Sequence, residues 1–227
     1  MIFHVLTLFP DMIRDTLNHS ILKRAQQSNI IDVNCVNIRD FSTSKHKKVD
    51  DYPYGGGAGM LMQPDPVYKA YKSVMENINE KVRVIYLSPQ GSTFTQEIAK
   101  ELSLEKNIIL LCGHYEGIDQ RVIDEIVTDE ISIGDYILTG GELPALVLID
   151  SVSRLVQGVL NKAESYEDES FSNNLLEYSQ YTRPPIFLNR KVPEVLLSGH
   201  HENIKKWRNE NSLLNTIKKR PDLIKED

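Results

Sequence analysis

The chain has little that could anchor it in a membrane or crosslink it. Among its 227 residues no apolar run reaches the ~18 residues of a membrane-spanning helix, which argues against such a span. Met1–Phe9 has no basic segment before its apolar stretch, which predicts a first strand rather than a signal peptide. The two cysteines, Cys35 and Cys112, both fall in apolar strand patterns, so we expect reduced thiols in a cytoplasmic protein.

Fingerprints of nucleotide and metal sites are also missing. In the glycine-rich segment 55–59, Met60 stands where the last glycine of a dinucleotide-binding loop would be, and no GK[ST] follows for a phosphate-binding loop. No HExxH spacing or paired cysteine accompanies the histidines, so His114 and the others are interpreted as core or surface residues. Residue spacing therefore predicts no metal site.

Charge is unevenly distributed, although the formal net charge is only −6. Residues 113–180 hold 14 acidic and 3 basic side chains, residues 183–220 hold 9 basic and 3 acidic, and residues 14–48 hold 7 basic and 3 acidic. Basic ends around an acidic middle would allow a polyanion to bind at two separated patches. Solvated helix faces explain the same pattern equally well, so charge alone decides nothing.

Short apolar runs alternate with helix-like stretches up to residue 157. The runs are Ile2–Phe9, Ile31–Ile38, Val82–Leu87, Ile108–Cys112 and Ile131–Leu138. Helix-like stretches cover residues 11–18, 21–27, 66–75, 96–103 and 118–127, and a longer helix is predicted over Leu143–Gln157. This alternation predicts an α/β fold with a mostly parallel sheet and helices on both faces.

The composition changes after this region. Residues 160–174 are polar and acidic without periodicity, which predicts a linker between a large domain, 1–159, and a small helical domain, 175–227. Within the small domain, His201–Asn211 and Leu213–Lys219 are predicted as two short basic helices. So short a tail can bury little core alone, and we expect it to dock on something.

Three predicted strand ends carry glycine where a buried strand would ordinarily continue: Tyr86–Gly91, Gly113–Gly117 and Gly134–Gly141. Glycine weakens a strand and helps only where the backbone turns with positive φ or approaches something closely. Ligands of parallel α/β sheets bind outside the carboxyl ends of strands. The convergence therefore predicts a pocket for a small flat ligand, lined by backbone.

A fourth glycine cluster lies in Asp50–Met60, whose sequence is DDYPYGGGAGM. Backbone exposed by four glycines could lie against a base or a phosphate, and the alternative is a merely flexible loop. The neighbouring tyrosines and carboxylates favour the first interpretation, because plain linkers seldom carry them.

Charged side chains near the end of the large domain are candidates for catalysis. Arg154 is predicted inside a nearly all-apolar helix, where an unpaired guanidinium is costly; the alternative is a surface ion pair with Asp150. Asp168 and Glu169 lie in the predicted linker, where acidic residues are usually only solvated. A carboxylate on such a segment can nevertheless arrive with the substrate as a general base.

Motifs along the whole chain, from Leu6–Pro10 to Arg220–Ile224, resemble a known family. In order they include DDYPYGGGAGM, YLSPQG, CGHYEGID, SIGDYILTGGELPA, DSVSRLVQGVL, QYTRPP and VPEVLLSGHH. Together they resemble the bacterial tRNA (guanine-N1)-methyltransferases, the TrmD family of the SPOUT superfamily. The resemblance implies a trefoil knot in the C-terminal part of the large domain and S-adenosylmethionine as methyl donor. It also implies, as acceptor, the guanosine 3′ of the anticodon of tRNA, position 37.

The resemblance further implies binding roles for individual residues. The donor would be held by Tyr86, Leu87, Pro89, Gly113, Tyr115, Glu116, Gly117, Ser132, Ile133, Gly134, Asp135, Tyr136, Ile137, Leu138, Gly140, Gly141 and Pro144. The anticodon stem-loop would meet Asp50, Tyr54, Gly55, Gly59, Ser170 and Phe171, with phosphate contacts from Lys45, Lys47, Lys48, Trp207 and Arg208. Magnesium is associated with the family and Glu116 is its candidate ligand, although no residue spacing indicates a metal site.

For catalysis the resemblance implies Arg154 as the guanidinium that stabilises guanine O6, and a carboxylate as general base. The family has aspartate directly before a Ser-Phe pair, where this chain has Glu169, preceded by Asp168. Either Glu169 serves with one extra methylene or Asp168 shifts into the role, and Glu169 is favoured because loop backbone can accommodate the difference. The resemblance also implies a homodimer in which the partner's linker and tail complete each active site.

Two other functions fit parts of the pattern. An RNA-binding regulator of the same fold that has lost catalysis would explain Glu169, and a knotted methyltransferase for a different RNA would explain the pocket. Arg154 and the intact SIGDYILTGGELP run argue against the first alternative. The motifs QYTRPP and VPEVLLSGHH argue against the second. The sequence therefore predicts a cytoplasmic tRNA methyltransferase.

Overall fold

The structure is a computed structural model that describes residues 1–160, 170–171 and 174–224. The chain forms two compact units, Met1–Asn161 and Lys162–Asp227. In the part of the chain that is described, no helix combines the length and apolarity needed to cross a membrane. The predicted linker, 160–174, falls largely outside the described residues.

The first unit is built on a five-stranded sheet in which all neighbouring strands are parallel. Its strands are β1 (Ile2–Thr7), β2 (Asp32–Asn37), β5 (Arg83–Thr93), β6 (Asn107–Cys112) and β7 (Asp129–Ser132). Their order across the sheet is β2-β1-β6-β5-β7. A separate antiparallel pair, β3 (Asp50–Asp51) with β4 (Leu61–Met62), closes the glycine-rich loop. The predicted α/β class with a mostly parallel sheet is confirmed.

Helices cover both faces of this sheet, because successive strand residues point to opposite sides. One core contains side chains of α1 (Pro10–Leu17), α2 (Ser20–Gln27), α4 (Gln96–Leu102) and α6 (Glu142–Ser153). The opposite core contains side chains of α3 (Pro64–Met75) and α5 (Gln120–Ile126). Leu110 and Leu111, adjacent in β6, belong to the two different cores and both are fully buried.

The two cysteines belong to the core on the α1 side of the sheet. Cys35 and Cys112 are both buried and unpaired. Burial raises the pKa of each thiol, so both stay protonated at neutral pH. They act as small apolar side chains, as the strand patterns predicted.

The strand predicted over Ile131–Leu138 is wrong beyond Ser132. β7 ends there because the Gly134 N–H donates to Ser132 Oγ at 3.2 Å and Gly134 adopts a φ of +141°. Side chains after the turn leave the sheet, and Ile137 is 80% exposed. Burial in the core of the sheet therefore does not explain why the apolar run continues past the end of β7.

The strand end predicted at Tyr86–Gly91 is also wrong. β5 continues to Thr93, with a shift of pairing register against β7 inside this segment. A Cβ atom at Gly91 would collide with the Glu130 backbone, so glycine permits the close approach of the two strands.

The second unit contains a hairpin, β8 (Ile186–Phe187) with β9 (Arg190–Lys191), the short helix α7 (Glu194–Leu197) and the long helix α8 (His201–Lys219). The prediction of two helices in the tail is therefore wrong. A single helix of 19 residues forms because Ser212, between the predicted segments, is no helix breaker. Thr216, buried on α8, accepts the N–H of Leu176 at 2.9 Å, which attaches the preceding segment to this helix.

An ion pair joins β5 to β7 within the sheet. Arg83 Nε donates to Asp129 Oδ2 at 3.1 Å, and the two side chains expose 28% and 23% of their surface. Burial opposes ionisation of the Asp129 carboxyl, but hydrogen bonds from Arg83 and Thr128 outweigh it and hold its pKa below the usual 3.8. The ionised carboxylate is therefore stabilised by folding.

We expect Asp129→Asn to lower the free energy of unfolding by about 1–3 kcal/mol at neutral pH, measured by urea denaturation. Because the folded pKa is depressed, the wild-type advantage is complete above the unfolded value of 3.8 and is lost as pH falls through the folded value. Asp65→Asn is the control, since it removes an exposed pair with Lys69 at 2.7 Å that should contribute little. Equal destabilisation by both substitutions would contradict this account.

Candidate active site

Residues in the middle of β5 and residues at the carboxyl ends of β6 and β7 surround a cleft of about 260 Å³. Its walls come from Tyr86–Pro89 of β5, from Gly113–Gly117 after β6, and from residues of the segment 131–141 that connects β7 to α6. This is the position at which parallel α/β sheets bind ligands. Parts of the three segments singled out in the sequence therefore meet at one site, although Gly91 of the first segment does not line it.

Sixteen of the 17 residues predicted to hold the donor line this cleft, and Asp135 is the exception. Four lining residues were not predicted, namely Ser88, His114, Ile131 and Thr139. Ser88, His114 and Thr139 lie inside the motifs already quoted, and Ile131 directly precedes one, so position within a motif was the missed signal. His114, which its spacing indicated to be a core or surface residue, is part of the cleft wall.

Bare backbone forms one side of the cleft where Gly113 meets Gly140 and Gly141. The Gly141 N–H donates to the Gly113 carbonyl at 2.9 Å, and His114 and Gly140 form an antiparallel bridge. A Cβ at Gly141 would lie 2.7 Å from Cys112 Cα, and a Cβ at Gly140 would lie 2.8 Å from His114 Nδ1. Close approach of two chain segments therefore requires both glycines.

The Tyr86 ring forms another wall of the cleft. It is buried, and a Cβ at Gly113 would lie 3.0 Å from the ring. Burial, assisted by the nearby charge of Glu130, raises the pKa of the Tyr86 phenol. The hydroxyl therefore stays protonated and can donate a hydrogen bond to a ligand.

A buried carboxylate beside the cleft joins α6 to β1. Glu142 is only 2% exposed, and its Oε1 accepts the Thr7 hydroxyl at 2.7 Å. Thr7 Oγ1 in turn accepts the Phe9 N–H at 2.9 Å. Glu142 lies in the first turn of α6, where the helix dipole favours negative charge. Sequence analysis missed this network, although glutamate directly after two glycines at a helix start is a readable signal.

The glycine-rich loop between β3 and β4 is attached to the cleft wall. The Glu116 N–H donates to the Met60 carbonyl at 3.0 Å, and a Cβ at Gly59 would collide with the Glu116 side chain. Gly55 and Gly59 both have φ near +85°, and Tyr54 is almost fully exposed. The predicted RNA-contacting loop thus borders the predicted donor pocket.

Of the three predicted catalytic residues, the structure describes only Arg154. Arg154 lies directly after the last residue of α6 rather than inside it, because the chain tightens there into three-residue turns at Leu155 and Val156. Its side chain is half-buried, and its N–H donates to the Asp150 carbonyl at 3.2 Å. Asp168 and Glu169 lie outside the described residues.

The remaining predicted RNA contacts are distributed over both units. In the first unit Lys45 is exposed, whereas Lys47 and Lys48 pair with Asp40 and Asp51 at 2.6 and 3.4 Å. These acidic partners partly compensate the charge that a phosphate would meet.

In the second unit the predicted RNA contacts include residues packed against aromatic rings. The guanidinium of Arg208 lies 4.7 Å from the centre of the Tyr178 ring, and the Trp207 ring lies 6.3 Å from Tyr181. Ser170 Oγ accepts the Glu177 N–H at 3.0 Å, and Arg220 lies over the Phe171 ring at 5.8 Å.

Metal ligands are not assembled in residues 1–160, 170–171 and 174–224, where no group of three or more His, Cys, Asp or Glu side chains could hold an ion. The structure therefore gives no support for Glu116 as a magnesium ligand, a role that only the family resemblance raised.

A parallel α/β sheet with a backbone-lined cleft at its strand ends is typical of α/β proteins that bind a small ligand. The model of the family described as tRNA (Guanine-1)-methyltransferase TrmD matches residues 1–226. The tRNA (guanine-N(1)-)-methyltransferase of Ruminiclostridium cellulolyticum is 61% identical over 224 residues, covering 99% of this chain and 96% of the relative. That of Clostridioides difficile is 60% identical over 227 residues, covering 99% and 98%. The chain belongs to the TrmD family and is a methyltransferase.

Proposed function

We propose that this methyltransferase transfers the methyl group of S-adenosylmethionine to N1 of the guanosine 3′ of the anticodon, position 37 of tRNA, giving 1-methylguanosine. The observation that carries this proposal is the convergence of Tyr86–Pro89, Gly113–Gly117 and residues from 131–141 on one cleft. Similarity to tRNA methyltransferases over the full chain supports the acceptor.

The cleft fits a flat nucleoside. Gly140 and Gly141 contribute main chain without side chains to the cleft wall, and Leu87, Ile133 and Leu138 supply apolar walls. Main-chain N–H and C=O groups can read the edge of an adenine, which explains why no side-chain fingerprint marks the site. In the proposal this cleft lies in the trefoil knot of the family, and the bound S-adenosylmethionine supplies an electrophilic methyl group on its sulfonium.

The acceptor determines which side chains catalysis requires. Guanine N1 carries a proton at neutral pH, so its lone pair becomes available only when a base removes that proton. In the proposal Glu169 accepts the N1 proton. Negative charge then builds on guanine O6, which Arg154 stabilises. The walls of the cleft hold the reacting atoms in line.

Each active site in the proposal is shared between two chains. The cleft and Arg154 come from one subunit, and Glu169 comes from the linker of the other. The tRNA meets the loop Asp50–Met60 and the basic second unit, where Trp207 and Arg208 are among the contacts. A tRNA substrate places the enzyme in the cytoplasm.

The bare backbone of the cleft gives a direct test of donor binding. We expect Gly141→Ala to weaken the binding of S-adenosylmethionine by at least about tenfold in calorimetry, because its Cβ would meet Cys112 and Gly113 backbone, which cannot move aside easily. Gly113→Ala should be milder, since its Cβ would meet the Tyr86 ring, a side chain that can shift. The reverse order of damage would argue against a cleft formed by main chain.

The reaction itself is tested with labelled S-adenosylmethionine and unmodified tRNA carrying guanosine or adenosine after the anticodon. Methyl uptake only into the guanosine form supports the proposal. Uptake into neither form, with tRNA still bound, would indicate the regulator that has lost catalysis. Uptake into another RNA but not into tRNA would indicate the second alternative.

A further inference from the structure

The hairpin β8–β9 of the second unit presents apolar side chains to solvent. Every residue from Tyr181 to Lys191 is exposed, and Phe187 and Leu188 expose 67% and 78% of their surface. A hairpin of two-residue strands has no core of its own to explain such residues. They therefore contribute little to the stability of the unit.

The turn at the hairpin tip is occupied by a residue that it does not favour. Leu188 and Asn189, the two central residues, have φ angles of +45° and +63°. Two-residue hairpin turns with both φ angles positive favour Asn and Gly, whereas a bulky residue there is strained. Leucine at this position opposes both turn formation and solubility, so its presence points to a role outside folding.

The charges around the tip all have one sign. No aspartate or glutamate occurs between Tyr178 and Pro193, whereas Arg183, Arg190 and Lys191 are exposed. The register pairs Phe187 with Arg190 and Ile186 with Lys191. Paired residues of a hairpin lie on the same face, so each face presents one apolar side chain beside one cation.

We propose that this hairpin tip binds unpaired bases of the RNA substrate, with Phe187 and Leu188 stacking on bases while Arg190 and Lys191 contact the flanking phosphates. An aromatic or apolar surface beside cations is the combination that recognises single-stranded RNA loops. This inference rests on the proposed function for the identity of the RNA. The hairpin would then be a binding element for the RNA, separate from the residues that carry out methyl transfer.

The test uses an unmodified tRNA transcript. A blunt-ended RNA duplex of equal length is the control, because it has no unpaired bases. We expect Phe187→Ala to weaken tRNA binding by about 5- to 150-fold, the range for removal of one stacked base. Leu188→Gly should weaken tRNA binding as well while leaving the unfolding midpoint equal or higher, because glycine accepts the positive φ. Affinity for S-adenosylmethionine should be unchanged in both variants.

The salt dependence of tRNA affinity distinguishes the contribution of base stacking from that of charge. Arg190→Gln should reduce the slope of log affinity against log salt by about one, whereas Phe187→Ala should leave that slope as in wild type. Leu104→Ala, which truncates an 85% exposed leucine in the first unit, is the matched control and should leave tRNA binding unchanged.

Three results would overturn the inference. They are unchanged tRNA affinity in both tip variants, an equal loss of affinity for the duplex, or a change of oligomeric state in light scattering, which would identify a second copy of the chain as the occupant. If wild-type protein fails to methylate tRNA but the tip variants still lose RNA binding, the proposed function fails and the hairpin inference stands. If wild-type protein methylates tRNA and the tip variants bind tRNA normally, the hairpin inference fails and the proposed function stands.

Discussion

Replacing Glu169 by glutamine is expected to slow methyl transfer to guanosine-containing tRNA by about 10²–10⁴-fold, the usual contribution of a general base. Glutamine keeps the size and polarity of the side chain but cannot accept the N1 proton. Binding of tRNA and of S-adenosylmethionine should remain close to wild type, so the loss should appear in single-turnover rates rather than in affinities. The register directly before Ser170 and Phe171 is the reason for choosing Glu169.

Asp168→Asn is the comparison that decides between the two carboxylates, and it should retain most activity. If Asp168→Asn is the more damaging change, the base is one residue earlier than the motif register indicates. If neither change affects the rate, proton removal by this acidic pair is excluded. The rate of Glu169→Asp is also informative, since this variant carries the residue that the sequence resemblance implies at this position and should stay active.

The second large effect is expected at Arg154. Removal of one donor to a developing oxyanion typically costs about 10²–10³ in rate, so Arg154→Ala should lower the maximal rate by that factor. Arg154→Lys should recover only part of it, because an ammonium keeps the charge but not the fixed geometry of the guanidinium. Arg154 directly follows α6, so circular dichroism and thermal unfolding of both variants provide the control for helix integrity.

Mixing the two inactive chains tests whether sites are shared. In a dimer of one Arg154→Ala chain and one Glu169→Gln chain, a shared arrangement leaves one site with both residues intact. Random mixing should then restore about one quarter of the wild-type sites, because half of the dimers are mixed and each has one intact site. Sites contained within single chains would stay inactive in every combination.

The parallel sheet could be predicted because its strands are short apolar runs separated by amphipathic helices. β1, β2 and β6 were located to within a residue or two from that pattern alone. The prediction failed at Ile133–Leu138, where apolar residues line the cleft instead of the core. An apolar run indicates side chains that are removed from water, and both a ligand cleft and a protein core remove them. The periodicity of the run therefore could not distinguish cleft residues from core residues.

Other errors arose where local signals competed with pairing between segments. Pro89 and Gly91 normally end a strand, but β5 continues through them because a shift of register against β7 accommodates both. The position of Glu142 at a helix start was readable, but its hydrogen bond to Thr7 was not, since Thr7 lies 135 positions away in sequence. The glycine clusters were nevertheless informative, because the positions where backbone approaches backbone admit few other residues.

The crowded contact of Gly141 with Cys112 has a consequence for inhibition of this enzyme. A compound that takes its hydrogen bonds from the main chain at Gly113 and Gly140 meets atoms that no point mutation removes. Resistance usually arises when a side chain at the contact is exchanged, and here the exchange would damage the cleft itself. Inhibitors directed at these backbone groups should therefore encounter few viable escape variants.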